Sequence, residues 1–280
     1  MKDFKIGLAL GGGAALGFAH IGVLKVFEEY GLTPDYIAGT SMGSIVGALY
    51  SCGLYVDDLI QIAKQFDFKK VCGFNPFNAL KNGAFSTVKL ENFIESFVGK
   101  TTFNDTQIPF KCTSVDLLTG EPYILETGCL VEAIRASSAI PGIFKPIEKD
   151  GKVLVDGGIL NNVPYDVVKE MGANFVIAVD VAGVYPKNPK LDSVGRIIFS
   201  SIHLYQSKFE EYREKANKKL VDQMIKVDVP IAGEDFSKEN IEKAIKFGEI
   251  AARRQIKTLL RKINKKKQQL SEKNNRQEND

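Results

Sequence analysis

Tryptophan is absent from this 280-residue chain, histidine occurs only at His20 and His203, and the four cysteines (Cys52, Cys72, Cys112, Cys129) form no C-x-x-C pair. So thin a supply of thiol and imidazole argues against a zinc site, and no H-E-x-x-H or EF-hand spacing occurs, so no metal is expected. Few, scattered cysteines are not the staples of a small secreted domain; reduced thiols in a cytoplasmic protein are the expectation. A one-sided charge is missing as well. Lys and Arg number 37 against 34 Asp and Glu, leaving +3. That is too little for a dedicated nucleic-acid binder, so no nucleic-acid partner is expected. Hydrophobic residues make up 44% and charged ones 25%, the range of a globular chain with a real core rather than a disordered or fibrous one.

A clean hydrophobic span is lacking too. Residues 6–24 are uncharged, but six of these 19 are glycine and His20 interrupts the rest. Glycine costs a helix about 1 kcal/mol per position relative to alanine, so neither a signal-peptide core nor a membrane span is expected. The stretch divides instead into a buried strand over 4–10, a glycine loop, and a helix from about Gly17.

What is present is an alternation of short apolar runs with helical stretches. Strands are predicted at 5–10, 36–38, 110–116, 123–125, 152–155, 175–181 and 224–229. Helices are predicted at 17–30, 43–51, 56–65, 89–98, 130–137, 165–171, 194–220 and 239–263. The run F-V-I-A-V-D-V at 175–181 is nearly continuous in its hydrophobicity, as a strand covered on both faces should be. The pattern predicts an α/β fold with a mostly parallel central sheet between helical layers. Residues 75–85 and 186–191 read as loops.

The last predicted helix carries Ile241, Ile245, Gly248, Ala252, Ile256, Leu259 and Ile263 as one apolar stripe, with Lys246, Arg253, Arg254, Lys257 and Arg261 opposite. The basic face either is plain solvated surface or meets an anionic membrane. Residues 251–280 hold ten basic and three acidic side chains, so this end carries +7 and the rest −4. One domain is expected over 1–264, its motif-bearing core at 4–185 and a helical part at 190–264, followed by a disordered polar tail at 265–280.

Three constellations carry chemistry. Gly39-Thr40-Ser41-Met42-Gly43 is a G-x-S-x-G between an apolar strand and a helix, the setting of a nucleophile elbow. Gly11-Gly12-Gly13-Ala14-Ala15-Leu16-Gly17 also joins a strand to a helix, and such a loop can turn backbone N–H groups toward an oxyanion or a phosphate. It lacks a Walker A ending, and Gly11, Gly13 and Gly17 miss the dinucleotide spacing by one. Asp156-Gly157-Gly158 places a carboxylate at a strand's carboxyl end; by itself it also reads as an Asp-Gly turn.

Together with A-S-S-A-I-P-G-I-F at 136–144 and D-G-G-I-L-N-N-V-P at 156–164, these motifs resemble the patatin-like phospholipase family, in particular its compact bacterial members. The resemblance implies a three-layer α/β/α acyl hydrolase with a Ser–Asp dyad, no catalytic histidine and no cofactor. Matched residue by residue, Ser41 would be the nucleophile and Asp156 its base. Backbone amides at Gly11, Gly12, Gly13 and Met42 would form the oxyanion hole, with Gly17, Gly39, Gly43, Gly157 and Gly158 shaping the turns. Leu16 stands where relatives often carry Arg or Lys, a change that amide donors do not feel. The implied substrate is a lipid or lysophospholipid ester; the charge of the C-terminal helix, apart from the resemblance, leaves a peripheral membrane contact open. Two other readings stay open: a catalytically quiet lipid- or acyl-binding regulator of the same fold, and a nucleotide binder using the 11–17 loop.

A bare aspartate is a weak base toward a hydroxyl, so the dyad requires burial to raise the basicity of Asp156. A Ser-His-Asp triad needs a histidine on a presenting loop, whereas His203 falls inside a predicted helix and His20 on an early helix face. Arg135 could neutralise a substrate phosphate, but a structural ion pair is the stronger expectation. Cys52 is expected as a small core residue.

Overall fold

The computed structural model describes residues 4–72, 88–183, 185 and 189–277. The loop expected at 75–85 lies outside the described residues, as does 186–188 of the loop expected at 186–191.

Among the described residues eight strands form one sheet: β1 (Ile6–Leu10), β2 (Tyr36–Gly39), β3 (Phe110–Asp116), β4 (Glu121–Leu125), β5 (Ile147–Lys149), β6 (Lys152–Asp156), β7 (Phe175–Asp180) and β8 (Gln223–Lys226). The order is β5-β6-β3-β2-β1-β7-β8, with β4 also on β3. Strands β8, β7, β1, β2 and β3 run parallel. β4, β5 and β6 add an antiparallel corner. β5 was not expected, because three residues are too few to show a period.

Register decides where the chemistry falls. Leu10 pairs both Gly39 and Val179, so β1, β2 and β7 end level with one another. On β3, residues 110–112 pair β2, residues 114–116 pair β6, and β4 takes 112–116. A strand has only two edges, so with β4 on one, β2 and β6 share the other. β6 therefore lies in line with β2 and points its carboxyl end back at it.

Alternate strand residues feed two cores, as period-two side chains must. Leu8, Leu10, Ile37, Phe175, Ile177 and Val179 face the larger one. It is completed by helices α1 (Ala19–Glu29), α2 (Met42–Ser51), α3 (Val56–Gln65), α4 (Phe68–Cys72), α5 (Val88–Val98) and α6 (Leu130–Ser137). Each such fully buried side chain adds about 1.5–3 kcal/mol. The opposite face shows Ala9, Ala38, Val176 and Ala178 to Val167 and Val168 of α7 (Tyr165–Glu170). Its small residues bring that short helix close to the sheet. Helix α8 (Val194–Ala216) crosses the carboxyl edge, where His203 and Ser207 bond the backbone at Ala182 and Gly183.

Helix α9 (Lys238–Gln277) packs Ile241, Ala252, Ile256, Leu259 and Ile263 inward. It crosses α1 so closely that a Cβ on Gly22 would strike the backbone of Ile245, and one on Gly248 that of Ala19. The helix does not stop at 264 but runs to Gln277, through the stretch expected to be disordered. Residues 264–277 contain no Gly or Pro, and extending a helix already nucleated and docked costs little. Lys262 also anchors it, donating to Gln223 at 2.8 Å.

Candidate active site

The β2–α2 connection is a strained turn. Ser41 has φ +52° and ψ −123°, a left-handed conformation that few non-glycine residues adopt. The turn is held by its neighbours. The Ser41 N–H donates to Ser137 Oγ at 3.0 Å, and Thr40 Oγ1 meets Thr113 Oγ1 at 2.7 Å and Asn161 O at 2.9 Å. Glycine is required on both sides: a Cβ on Gly39 would strike the carbonyl of Gly43, and one on Gly43 the carbonyl of Leu10. Ser41 thus stands at the N-terminus of α2, where the helix dipole favours negative charge.

Asp156 closes β6, two β3 positions beyond the Gly39 pair. Its N–H donates to Ala139 O at 2.9 Å, and its Oδ1 accepts from the Gly158 N–H at 2.8 Å. Ser41 and Asp156 border the same small space, and the Ser41 side chain favours the ionised carboxylate. Asp156 is 3% exposed. Burial pushes its pKa up to about 6, against the opposing pull of the Ser41 side chain and the Gly158 N–H. The sequence placed this carboxylate beside Ser41 as one strand end among parallel ones. It arrives there on an antiparallel strand stacked end to end with β2.

The glycine loop is more committed than expected. The Gly11 N–H donates to Val179 O and the Gly12 N–H to Asn162 O, both at 3.0 Å. The first continues the β1–β7 ladder and the second ties the loop to the segment after β6, so neither is an open donor here. Among the described residues the Gly13 amide has no partner, and Met42 is the first residue of α2, whose N–H no helical bond satisfies. Met42 is held in place by Gly17, where any Cβ would run into its side chain. Ala14 follows with φ +47°. Leu16 is buried in the core.

Neither histidine bonds Ser41 or Asp156 among the described residues. His20 Nε2 donates to Gly11 O at 2.7 Å, and complete burial brings its pKa down to about 4, so it buttresses the loop as a neutral ring. His203 borders the small space over Asp156 and Asn162, but its Nε2 donates to Ala182 O at 3.0 Å and burial lowers its pKa. Arg135 pairs with Glu91, the structural ion pair expected. Cys52, Cys112 and Cys129 are free thiols. Among the described residues no cluster of three His, Cys, Asp or Glu could hold a metal, and no helix is long and apolar enough to cross a membrane.

Three contributors escaped the sequence reading: Ser137, Asn162 and Ala14. All three lie inside motifs already quoted, but only tertiary contacts reveal that Ser137 receives the Ser41 N–H and that Asn162 receives that of Gly12. Above Ser41 opens a cavity of about 290 Å³ whose walls include Met42, Ile45, Phe66, Ile140, Ile143 and Phe199.

Residues 8–169 match the family described as Patatin-like phospholipase. The chain belongs to the patatin-like phospholipase family. This patatin-like chain is 35% identical over 179 residues to an uncharacterized NTE family protein of Mycobacterium bovis, covering 64% of the chain and 49% of that protein. It is 34% identical over 197 residues to a lysophospholipase NTE1 of Meyerozyma guilliermondii, covering 68% of the chain and 13% of that protein. The chain thus spans about half the length of the mycobacterial relative and a small part of the yeast one. Its fold is shared by VipD from Legionella pneumophila (TM-score 0.61, 14% identity, 91% of this chain and 67% of that one). Human GIVD cytosolic phospholipase A2 shares it too (TM-score 0.54, 10% identity, 94% and 60%).

Proposed function

We propose that this patatin-like chain is a serine acylhydrolase acting on lipid esters of the phospholipid or lysophospholipid class. The observation that carries the reading is a single one: a buried Asp156, its pKa raised to about 6, borders the same small space as Ser41, which also opens onto an apolar cavity of about 290 Å³. Ser41 Oγ attacks the ester carbonyl carbon while its proton passes to Asp156. The amides of Gly13 and Met42 receive the oxyanion, and each such donor is worth about 3–4 kcal/mol in a serine hydrolase. Collapse of the tetrahedral species breaks the bond to the alcohol, which leaves with the proton from Asp156. Water, deprotonated by the same carboxylate, then releases the fatty acid from Ser41.

The cavity suits the acyl chain rather than a polar head, since its walls are mostly apolar. Its rim on α8 continues that character outward, with Val194, Ile197 and Ile198 exposed. Peripheral contact with anionic membrane is supported by Lys246, Arg254, Lys257 and Arg261, which form an exposed stripe on α9. The decisive experiment is labelling with a fluorophosphonate, located by mass spectrometry, together with turnover of a lysophospholipid. An adduct on Ser41, absent from Ser41→Ala, supports the reading; a lipid-binding chain that never labels sinks it.

A further inference from the structure

The cavity above Ser41 has a neighbour. A smaller cavity of about 30 Å³ lies among α1, α2, α3 and α5, and every described residue around it is apolar, including Phe18, Leu59, Ala63, Phe93, Ile94 and Phe97. Such a space stays dry, because it offers water no polar partner. The two cavities share four wall residues, Met42, Ile45, Phe66 and Leu90.

The ring of Phe66 packs against aromatic rings belonging to each cavity. Its centroid is 5.7 Å from that of Phe236, which borders only the outer cavity. On the other side it is 5.5 Å from Phe18 and 5.8 Å from Phe93, which border only the inner one. Phe66 caps the C-terminus of α3 with ψ 124°, so the chain has already left the helix where the ring inserts. The side chain is 94% buried, its relative exposure being 6%.

We propose that Phe66 is a specificity-determining partition: it ends the acyl site, and its removal or rotation joins the inner chamber to it. The proposal rests on the acylhydrolase reading for its substrate, but the wall itself is a property of the packing. A chain growing from Ser41 along Met42 and Ile45 meets the Phe66 ring; beyond it each further methylene either finds no room or, with the wall gone, finds apolar room. An admitted methylene strengthens binding about fourfold, the equivalent of ~0.8 kcal/mol.

The test uses saturated fatty acids from hexanoate to stearate, with binding read by displacement of a fluorescent fatty acid and turnover of the matching p-nitrophenyl esters read in parallel. Wild type should gain affinity with length up to a break and then stop gaining. Phe66→Leu and Phe66→Ala should move that break to longer chains, by about fourfold per methylene admitted. Ala63→Leu, which fills the inner chamber from its far wall, should restore the wild-type break when added to Phe66→Leu. An unmoved break in a Phe66 variant that melts like wild type overturns the proposal, and so does a shift that Ala63→Leu leaves in place. If no ester is turned over by any form, the hydrolase reading fails, and the fatty-acid series still decides the role of Phe66.

Discussion

Gly39 and Asp156 lie on one edge of β3, Gly39 opposite Cys112 and Asp156 opposite Ser114. Two strands running in opposite directions therefore aim their carboxyl ends at the same point, and Ser41 and Asp156 meet there.

Ser41→Ala should abolish fluorophosphonate labelling and lower ester turnover by about 10⁴-fold or more, since nucleophile and base act as a unit. Ser41→Gly should be equally inactive but more stable, by about 1 kcal/mol, because glycine relieves the φ of +52°. Equal melting temperatures for Ser41→Gly and wild type would show that the turn is not strained.

The base must be ionised to accept a proton, so kcat/KM should rise with pH and level off above about 6, the pKa of buried Asp156. The same elevation bears on stability. A carboxyl whose pKa is raised from 3.8 to about 6 by folding favours the folded state only while protonated, and that contribution is lost as pH climbs through 6. Above it, the buried charge costs about 3 kcal/mol. Asp156→Asn should thus be inactive, gain melting temperature over wild type at pH near 8, and lose that advantage near pH 4. A gain that is the same at both values contradicts the assignment.

Ser137→Ala removes the acceptor of the Ser41 N–H, a bond of 3.0 Å in the interior. An unpaired buried amide costs about 1–3 kcal/mol. Urea unfolding should show that loss, and kcat should fall more than KM rises, because the nucleophile is less well held. Ser137→Thr keeps the hydroxyl and should recover much of both.

Gly17→Ala should be far more damaging than an alanine on a helix usually is. The new Cβ would displace the Met42 side chain and with it the first residue of α2. Loss of that donor alone is worth roughly 10²–10³ in kcat. Substrate-independent labelling rates with a small fluorophosphonate would read this directly, and a normal rate would remove Met42 from the oxyanion hole.

Sedimentation with vesicles tests the basic stripe on α9. Replacing Arg254, Lys257 and Arg261 by Glu should weaken binding to anionic vesicles by roughly 100-fold or more, at about 1 kcal/mol per basic residue, and leave neutral vesicles indifferent. Arg253 is not among the targets, because it is already paired with Glu29 at 2.7 Å and Glu249 at 2.8 Å. Equal binding of both vesicle types by both proteins would remove the electrostatic contact.

Local chemistry along the chain was enough for the parallel strands, the two glycine-lined turns and Ser41 as a candidate, because hydrophobic period and turn residues are local signals; Asp156 became a candidate only beside the other motifs. It was enough, too, for the stripe that docks α9. Tertiary structure decided the rest. Which amides of the 11–13 loop remain open depends on Val179 and Asn162, far away in sequence, taking those of Gly11 and Gly12. The order of the last turns of α9 depends on a helix already fastened upstream. The approach of Asp156 depends on β2 and β6 sharing an edge of β3, and the wall at Phe66 on rings from Phe18, Phe93 and Phe236 closing around it. Hydrogen-bond partners, strand edges and cavity walls are properties of pairs of distant segments, and no periodicity within one segment encodes them.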